Sequence, residues 1–272
     1  MSAVAIIGRV EARGLARRRW PAIVLVAGIA VIIAGAIIAA TRSGMAQADT
    51  FRSWTAAVYL IGGLALAMGL GATAVNRDAD GGWMGLQVCT GTPRAQVALG
   101  RVAGRIAVLI SCFIAWAVGA IIIGAIMGLG FDAPLLATAF AMLVNMVLVT
   151  AVAAFASVAL GPITSENVGL LIFIFAQASV NLAAATDAGV IGTAWSPLIQ
   201  VIYAIFPRAI VSPMLSAMQA QGTAGVAAPQ FEINGNIVTI PDASWPTVVW
   251  TLLWCALLVA GTAGVMRRRA LS

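Results

Sequence analysis

An all-α, polytopic membrane protein is the fold class that this sequence predicts, and composition, apolar intervals and arginine placement predict it. Of the 272 residues, 62% are hydrophobic and 9% are charged, which is far from the composition of a soluble domain. Charge-free intervals recur at lengths that suit a bilayer, because about 20 helical residues cross about 30 Å of hydrocarbon. All fifteen basic residues are arginines, and most of them flank these intervals.

The apolar intervals predict six transmembrane helices in a single transmembrane domain that covers residues 1–272. The predicted spans are residues 20–41, 53–76, 106–131, 134–160, 167–186 and 246–266. They leave a cytosolic loop at residues 77–105 and an extracytoplasmic segment at residues 187–245.

A seventh apolar interval, Ala188 to Phe206, is interrupted by Pro197 and followed by Pro207. Proline removes a backbone hydrogen bond that lipid cannot replace. We therefore expect short helices that lie at the outer face of the membrane, not a seventh span.

The arginine distribution decides between six and seven spans. Six spans with both termini in the cytosol place twelve arginines inside and three outside, namely Arg42, Arg52 and Arg208. Seven spans would give ten inside and five outside. The positive-inside rule favours six, so we expect a multi-pass protein of the cell inner (cytoplasmic) membrane.

The amino-terminal residues 1–19 are predicted to form an interfacial amphipathic helix on the inner leaflet. Arginines at four-residue spacing share one helical face, and apolar residues gather on another. The arginines are Arg9, Arg13 and Arg17, and the apolar residues are Ala3, Ile6, Ile7 and Val10. A solvated basic tail is the alternative.

Together with the first apolar interval, this basic stretch imitates a signal peptide. However, the apolar core of about 20 residues exceeds the 7 to 15 that are usual in signal peptides, which favours an uncleaved first span.

Within the extracytoplasmic segment, residues 231–240 alternate partly between apolar and polar side chains. They contain Asn234-Gly235, and Asn-Gly is the strongest short hairpin signal. A small β-hairpin is predicted there, with an ordinary surface loop as the alternative.

Three amide side chains lie away from the ends of the predicted spans. Asn145 is near the middle of the fourth span, and Gln177 and Asn181 share one face of the fifth. Because amides facing lipid are costly, these residues either line a translocation path or form hydrogen bonds between helices. Asp, Glu, Lys and Arg are missing from the middle of every predicted span, which argues against a proton-coupled carrier.

Several chemistries have no candidate residues. The chain has no His and three scattered cysteines, Cys89, Cys112 and Cys255, so we expect no metal site, cofactor site or disulfide framework. Paired intramembrane carboxylates are also missing, so we expect no catalytic site.

The sequence has no phosphate-binding glycine loop followed by Lys, so we expect any ATP to bind another polypeptide. The arginines are explained by orientation in the membrane and not by nucleic acid.

The loop at residues 77–105 is the most informative segment. It contains Asp80, Gly81-Gly82, a mainly apolar stretch from Trp83 to Thr90, Arg94 and Gly100-Arg101. The glycines permit tight turns, and a bulky apolar pair such as Trp83-Met84 favours burial against a protein partner. The alternative is an interfacial tryptophan that anchors the end of the second span.

In this order of residues the loop resembles that of the permease subunits of type-2 ABC transporters, and in particular the permeases of nitrous-oxide-reductase maturation systems. The sequence departs from the pattern of that family at Gly85 and Gln87, which interrupt the apolar run. It also departs at Gly91, where the family usually has proline. Six spans, cytosolic termini and an amino-terminal interfacial helix extend the resemblance over most of the chain.

The resemblance implies an exporter subunit that forms a homodimer or pseudo-dimer in the lipid bilayer and binds two ABC ATPase subunits, which carry ATP and Mg²⁺. It implies that one set of residues contacts the ATPase. That set is Asp80, Gly81, Gly82, Trp83, Met84, Leu86, Val88 and Arg94. The alternatives are a secondary transporter or a membrane scaffold, and, less favoured, an intramembrane enzyme.

Overall fold

The computed structural model describes residues 2–75, 91–191, 195–208, 210, 230–233, 236–239 and 245–268. Helices account for most of these residues. They are α1 (Ala3–Ala16), α2 (Arg19–Ala40), α3 (Met45–Ala57), a π-helical turn (Val58–Gly62), α4 (Gly63–Ala72), α5 (Arg94–Ile126), α6 (Ala133–Ala156), α7 (Pro162–Asp187), α8 (Ser196–Ile205) and α9 (Trp245–Arg268).

Six of these helices are long and apolar enough to cross a membrane. They are α2, the continuous run from α3 to α4, α5, α6, α7 and α9. The prediction of a helical protein with six candidate spans is therefore confirmed, and the chain is a multi-pass membrane protein. Its arginine-rich end holds α1, the start of α5 and the end of α9. The far end holds residues 127–132, between α5 and α6.

The second span begins at Met45, eight residues before the predicted start. The sequence predicted that this span begins only after Arg52, because an arginine in an apolar helix is costly. In the fold, Arg52 Nε lies 2.5 Å from Asp132 Oδ2 and Nη1 lies 3.5 Å from Asp49 Oδ1. Asp132 also accepts a hydrogen bond from the Leu135 amide at the start of α6. These pairs place charged residues within a helix at the far end.

The third span also begins earlier than predicted. Residues 94–105, which we expected to be loop, are the first turns of α5. With 33 residues α5 is about 50 Å long, which exceeds the hydrocarbon thickness of about 30 Å. Its first turns contact α1, and through Ala98 and Val102 they also pack against Ala154, Val158 and Met266 at the ends of α6 and α9.

The fifth span begins at Pro162, where the sequence predicted a short loop before residue 167. Pro162 takes the first helical position, where its missing N–H is not needed and its φ suits the helix. Pro162 therefore starts the helix instead of lying in a loop before it.

The central packing unit is an aromatic cluster between the first three spans. Trp116 of α5 is fully buried and donates through Nε1 to the Leu25 carbonyl oxygen, 3.0 Å away. Phe113 lies edge-on to Trp116 and stacks on Tyr59, in the π-helical turn. The indole fits because its neighbours on α2 and the π turn are glycines: a Cβ at Gly28 would overlap it.

The chain between α7 and α9 departs from the prediction of surface helices. The ten-residue α8 has Pro197 in its first turn and ends before Pro207, as the prolines predict. However, Phe206 lies against Phe175, with ring centroids 5.0 Å apart. Phe175 is 12 residues before the end of α7, about 18 Å along its axis. The segment from α8 to Ile210 therefore re-enters the bundle from the far end to about half its depth.

A two-stranded antiparallel ladder lies between this segment and α9. β1 (Gln230–Ile233) pairs with β2 (Asn236–Thr239), with Gln230 opposite Thr239 and Ile233 opposite Asn236. The ladder occupies the stretch for which the sequence predicts a hairpin. The turn residues Asn234 and Gly235 lie outside the described residues.

We predict that Gly28→Ala destabilises the protein, because the added methyl would displace the Trp116 indole and its hydrogen bond to α2. Overpacking of this kind costs about 1–3 kcal/mol. The measurement is the midpoint of thermal aggregation of purified protein, followed by size-exclusion fluorescence.

The matched control is Gly119→Ala on α5, where a Cβ would meet nothing within 4 Å. Alanine is the better helix former, so the control should match or exceed the wild-type midpoint. Equal midpoints for Gly28→Ala and wild type would contradict the packing described for Trp116.

Candidate functional site

Arg105 joins the two chain segments that flank the predicted coupling residues. It lies in α5 and is only 1% exposed. Its Nη1 donates to the Leu70 carbonyl oxygen at 2.7 Å and to Thr73 Oγ1 at 2.6 Å, at the end of α4. The Arg105 guanidinium therefore connects the start of the third span, α5, to the end of the second span, α4.

The same guanidinium holds the amino-terminal helix. Arg105 Nε and Nη2 lie 3.0 and 2.9 Å from Glu11 Oε1. Removing one partner of a buried ion pair is strongly destabilising, because the other charge stays buried without compensation. We call Glu11, Leu70, Thr73 and Arg105 the arginine clamp.

Helix α1 crosses α5 at a contact made of glycines. A Cβ at Gly8 would lie 3.1 Å from the Gly100 carbonyl oxygen, and one at Gly100 would lie 2.8 Å from Ile7 Cβ. A Cβ at Gly104 would lie 3.0 Å from Glu11 Cβ. Small residues four apart allow helices to approach closely, and Gly100 and Gly104 have that spacing. Their spacing could have predicted the crossing, but sequence analysis assigned Gly100 to a loop.

The face of α1 that packs on protein overlaps only in part with its predicted apolar face: Ile7 lies at the crossing with α5. Gly8 and Leu15 are buried, whereas Ile6 is 50% and Val10 62% exposed. Gly8 and Glu11 do not belong to the predicted apolar face, yet both contact α5. The exposed Ile6 and Val10 remain available to lipid.

Most predicted ATPase-contacting residues lie outside the described part of the chain. These are Asp80, Gly81, Gly82, Trp83, Met84, Leu86 and Val88. Arg94 is described: it is the first residue of α5 and is half-buried. Gly91, just before it, has φ = 80°, a conformation that glycine adopts without strain. The glycine at the position where the family usually has proline is thus used to turn the chain into α5.

A groove of about 440 Å³ opens beside the arginine clamp. Its lining is Trp20, Val24, Ala65, Met68, Gly69, Thr73 and Glu166. Thr73 belongs to the clamp, and Glu166 lies in the second turn of α7. The groove therefore brings the first, second and fifth spans together at the arginine-rich end.

Asn145 does not face an open path. It is 1% exposed, and its amide makes two bonds to the backbone of Ile210: Nδ2 donates to the carbonyl oxygen at 2.9 Å, and Oδ1 accepts from the amide at 2.8 Å. Asn145 lies 12 residues after the start of α6, which is about 18 Å along its axis. Of the two roles left open by the sequence, Asn145 takes the structural one.

Three side chains of α9 complete the attachment of the re-entrant segment. The indoles of Trp250 and Trp254 each donate to a carbonyl oxygen, of Phe206 and Ile205 respectively, at 3.1 Å. Thr251 Oγ1 lies 2.7 Å from the Arg208 carbonyl oxygen. Non-helical backbone is tolerated at membrane depth only when protein satisfies its polar groups, and these side chains do so.

Gln177 and Asn181 remain candidates for a translocation path. Gln177 is half-buried and Asn181 is exposed on the surface of α7. Among the described residues neither is hydrogen-bonded to Asn145, whose amide bonds to Ile210 instead. An exposed amide on a span favours contact with an aqueous path or another subunit over contact with lipid.

In the described ranges, no three His, Cys, Asp or Glu side chains are grouped so that they could hold a metal ion. Cys112 and Cys255 are buried and unpaired, and each lies within a span.

We predict that Arg105→Gln lowers stability more than Glu11→Gln does. The Arg105 variant leaves the Glu11 carboxylate and the Leu70 carbonyl oxygen without their partner, at a cost of about 3–5 kcal/mol. Glu11→Gln keeps a hydrogen-bond acceptor near the guanidinium. The double variant should lose less than the sum of the two single losses, since both remove the same contact. Thermal midpoints of the four proteins measure this coupling, and strictly additive losses would argue against the clamp.

We also predict that Asn145→Leu destabilises the re-entrant segment. Leucine leaves the Ile210 amide and carbonyl without partners in a buried site, at about 1–3 kcal/mol for each group. The control is Asn181→Leu, which removes an exposed amide from a neighbouring span and should leave the thermal midpoint within about 0.5 kcal/mol of the wild-type value. If both variants melted alike, the hydrogen bonds at Asn145 would not hold the segment.

Comparison with protein-family models finds no match to this sequence, and comparison with curated proteins also finds none.

Proposed function

We propose that this chain is the membrane-spanning permease subunit of an ATP-driven transporter of the type-2 ABC class, and that it works in export. Two copies form the permease, and two separate ATPase subunits bind ATP and Mg²⁺. The chain itself performs no chemistry. It lies in the inner membrane with both termini in the cytosol.

The arginine clamp is the observation that carries the proposal. A peptide segment that receives force must have a stiff base, since otherwise the force would only deform the segment. Both flanks of residues 76–90 meet at the Arg105 guanidinium, within 3.0 Å of each partner atom, and α1 is fastened to the same point. A push on the segment would be transmitted to the second span, the third span and α1 together.

The charge distribution supports the cytosolic position of this segment. Arg9, Arg13, Arg94 and Arg105 all belong to the arginine-rich end, and α9 ends there at Arg268. Arginines accumulate on the cytosolic side of membrane proteins, which is also where ATP is hydrolysed.

Exposed groups on the spans support assembly with a second copy. Asn181 lies on the outer surface of α7, and Leu171 and Ile174 on the same helix are 63% and 53% exposed. Exposed apolar residues suit lipid equally well, but the amide is better satisfied by another permease subunit or by a water-filled path between subunits.

We predict that replacing Trp83 and Met84 by aspartate uncouples ATP hydrolysis from transport. An apolar side chain buried in a partner contributes about 1.5–3 kcal/mol, and each 1.4 kcal/mol is a factor of ten in affinity. The full chain is purified from membranes of its own host, and the co-purifying ATPase is measured. The amount of ATPase that co-purifies with the double variant should be lower than with the wild type by a factor of about ten or more. The double variant should have no ATP-dependent transport.

The matched control is Met45→Asp, which adds a charge at an 83% exposed methionine at the far end. It should leave ATPase retention unchanged. A wild-type chain that never retains a nucleotide-hydrolysing partner would refute the proposal and would favour a secondary transporter or a scaffold.

A further inference from the structure

Glu166 is a half-buried carboxylate without a partner in the described part of the chain. It lies in the second turn of α7 and makes no hydrogen bond or ion pair with a described residue. Other carboxylates of the fold are paired, since Glu11 binds Arg105 and Asp132 binds Arg52. A half-buried charge that the protein leaves unpaired points to a partner from outside the chain.

The groove beside the arginine clamp holds this carboxylate at its mouth. A Cβ at Gly71 of α4 would lie 2.6 Å from Ala153 Cβ, and a Cβ at Gly169 of α7 would lie 3.3 Å from the same atom. The two glycines are therefore at about the same depth. Glu166 is three residues, about 4.5 Å, nearer to the arginine-rich end than Gly169 is. It lies close to the depth of Thr73, which follows Gly71 by two residues.

The apolar walls of the same groove continue towards the middle of the membrane. Ala65 is six residues, about 9 Å, deeper than Gly71. Ala65 is exposed, and Val24 and Met68 are half-buried, so lipid can reach the groove from the side. Because these residues line one groove with Glu166, the carboxylate and the apolar surface belong to a single site. Its volume of about 440 Å³ is within the range of small-molecule pockets, about 300–1,000 Å³.

The Trp20 indole adds an aromatic surface to this site. A Cβ at Gly69 would lie 3.1 Å from Trp20 Cη2, so the six-membered ring of the indole rests on the glycine at the wall of the groove. The face of an indole attracts cations, and aromatic rings are used to recognise quaternary ammonium groups. Trp20 and Glu166 therefore favour the same kind of ligand group.

The remaining polar group of the lining is already satisfied. Thr73 Oγ1 donates to the Gly69 carbonyl oxygen and accepts from Arg105, and the charge of Arg105 is paired with Glu11. Among the described lining residues, a ligand thus meets one unpaired charge, the Glu166 carboxylate. Charge complementarity favours a cationic head, and the apolar walls favour an attached alkyl chain.

We propose that this groove binds an amphiphile with a quaternary ammonium head, which enters from the adjoining membrane leaflet. The head contacts Glu166 and Trp20. The alkyl chain lies along Val24, Ala65 and Met68. The inference goes beyond the proposed function, because this binding needs neither ATP nor an ATPase subunit.

The test is equilibrium dialysis of radiolabelled dodecyltrimethylammonium against the purified full chain in dodecyl maltoside micelles, with protein-free micelles as the blank. The detergent has the same alkyl chain without a charge, so binding above the blank reports the head group. We expect saturable binding of one molecule per chain. Glu166→Gln should weaken it at least about tenfold, the factor that corresponds to 1.4 kcal/mol, and Trp20→Leu at least about threefold. Wild-type affinity in either variant overturns the proposal.

Two matched controls remove the same kinds of side chain elsewhere. Asp187→Asn removes an exposed carboxylate at the other end of α7, and Trp245→Leu removes a 75% exposed indole at the start of α9. Both variants should bind dodecyltrimethylammonium as the wild type does. An equal loss in either control would mean that the ligand binds to charged or aromatic surface in general, and the proposal would fall.

A third variant, Ala65→Phe, tests the apolar part of the groove. Because Ala65 is exposed to lipid, the larger side chain can be accommodated without repacking of the core, but it would occupy the groove. It should weaken binding at least about tenfold, and unchanged affinity would contradict the placement of the alkyl chain. If Glu166→Gln did not fold, Ala65→Phe would decide the question.

Two competitors identify the ligand class. Tetramethylammonium should not displace dodecyltrimethylammonium, and displacement would mean that the site takes a soluble cation instead of an amphiphile. Dodecanoate, with an anionic head, should not compete, and competition would mean that only the apolar walls bind. Absent binding with intact ATPase coupling overturns this inference alone. Binding by a chain that never retains an ATPase overturns the proposed function alone.

Discussion

The organising constraint of this fold is that backbone N–H and C=O groups inside the bundle must find partners on the protein. Long helices meet it by themselves, since each residue bonds to the next turn. Where a helix ends inside the protein, a side chain must complete the bonding. Arg105 does this for the Leu70 carbonyl oxygen, and Asn145 does it for both backbone groups of Ile210. The same few side chains therefore determine where the chain can leave helical conformation.

Because of this constraint, the arginine-rich end of the bundle and the re-entrant segment at half depth are held in different ways. At the arginine-rich end, the clamp joins α1, α4 and α5 through one buried guanidinium and a glycine crossing. At half depth, the re-entrant segment is attached by single hydrogen bonds from Trp250, Thr251 and Trp254 and by the amide of Asn145. A displacement that enters at the clamp would move whole spans, whereas the re-entrant segment can respond when only a few bonds change.

Sequence reasoning succeeded where a property is local. The apolar intervals located six spans, and the prolines bounded α8. It erred at boundaries set by partners. The second span was predicted to begin after Arg52, but Asp132 compensates Arg52 within the helix. The fifth span was predicted to begin at residue 167, after Pro162, although proline is well suited to the first helical turn. For the candidate site, the outcome is divided. Arg94 is placed at the start of α5, Asn145 is assigned to packing, and the proposed ATPase contacts from Asp80 to Val88 remain predictions.

By itself the sequence determined the class of protein and the number of candidate spans, because hydrophobic length and the lack of charge are properties of consecutive residues. Only the tertiary structure decided which polar groups meet. Glu11 and Arg105 are 94 positions apart, and Asn145 and Ile210 are 65 apart. Nothing local to either partner indicates such a pair, since the packing of the helices sets their relative depth and rotation. For the same reason the sequence predicted short helices at the outer face for Ala188 to Phe206, whereas the segment from α8 to Ile210 re-enters the bundle.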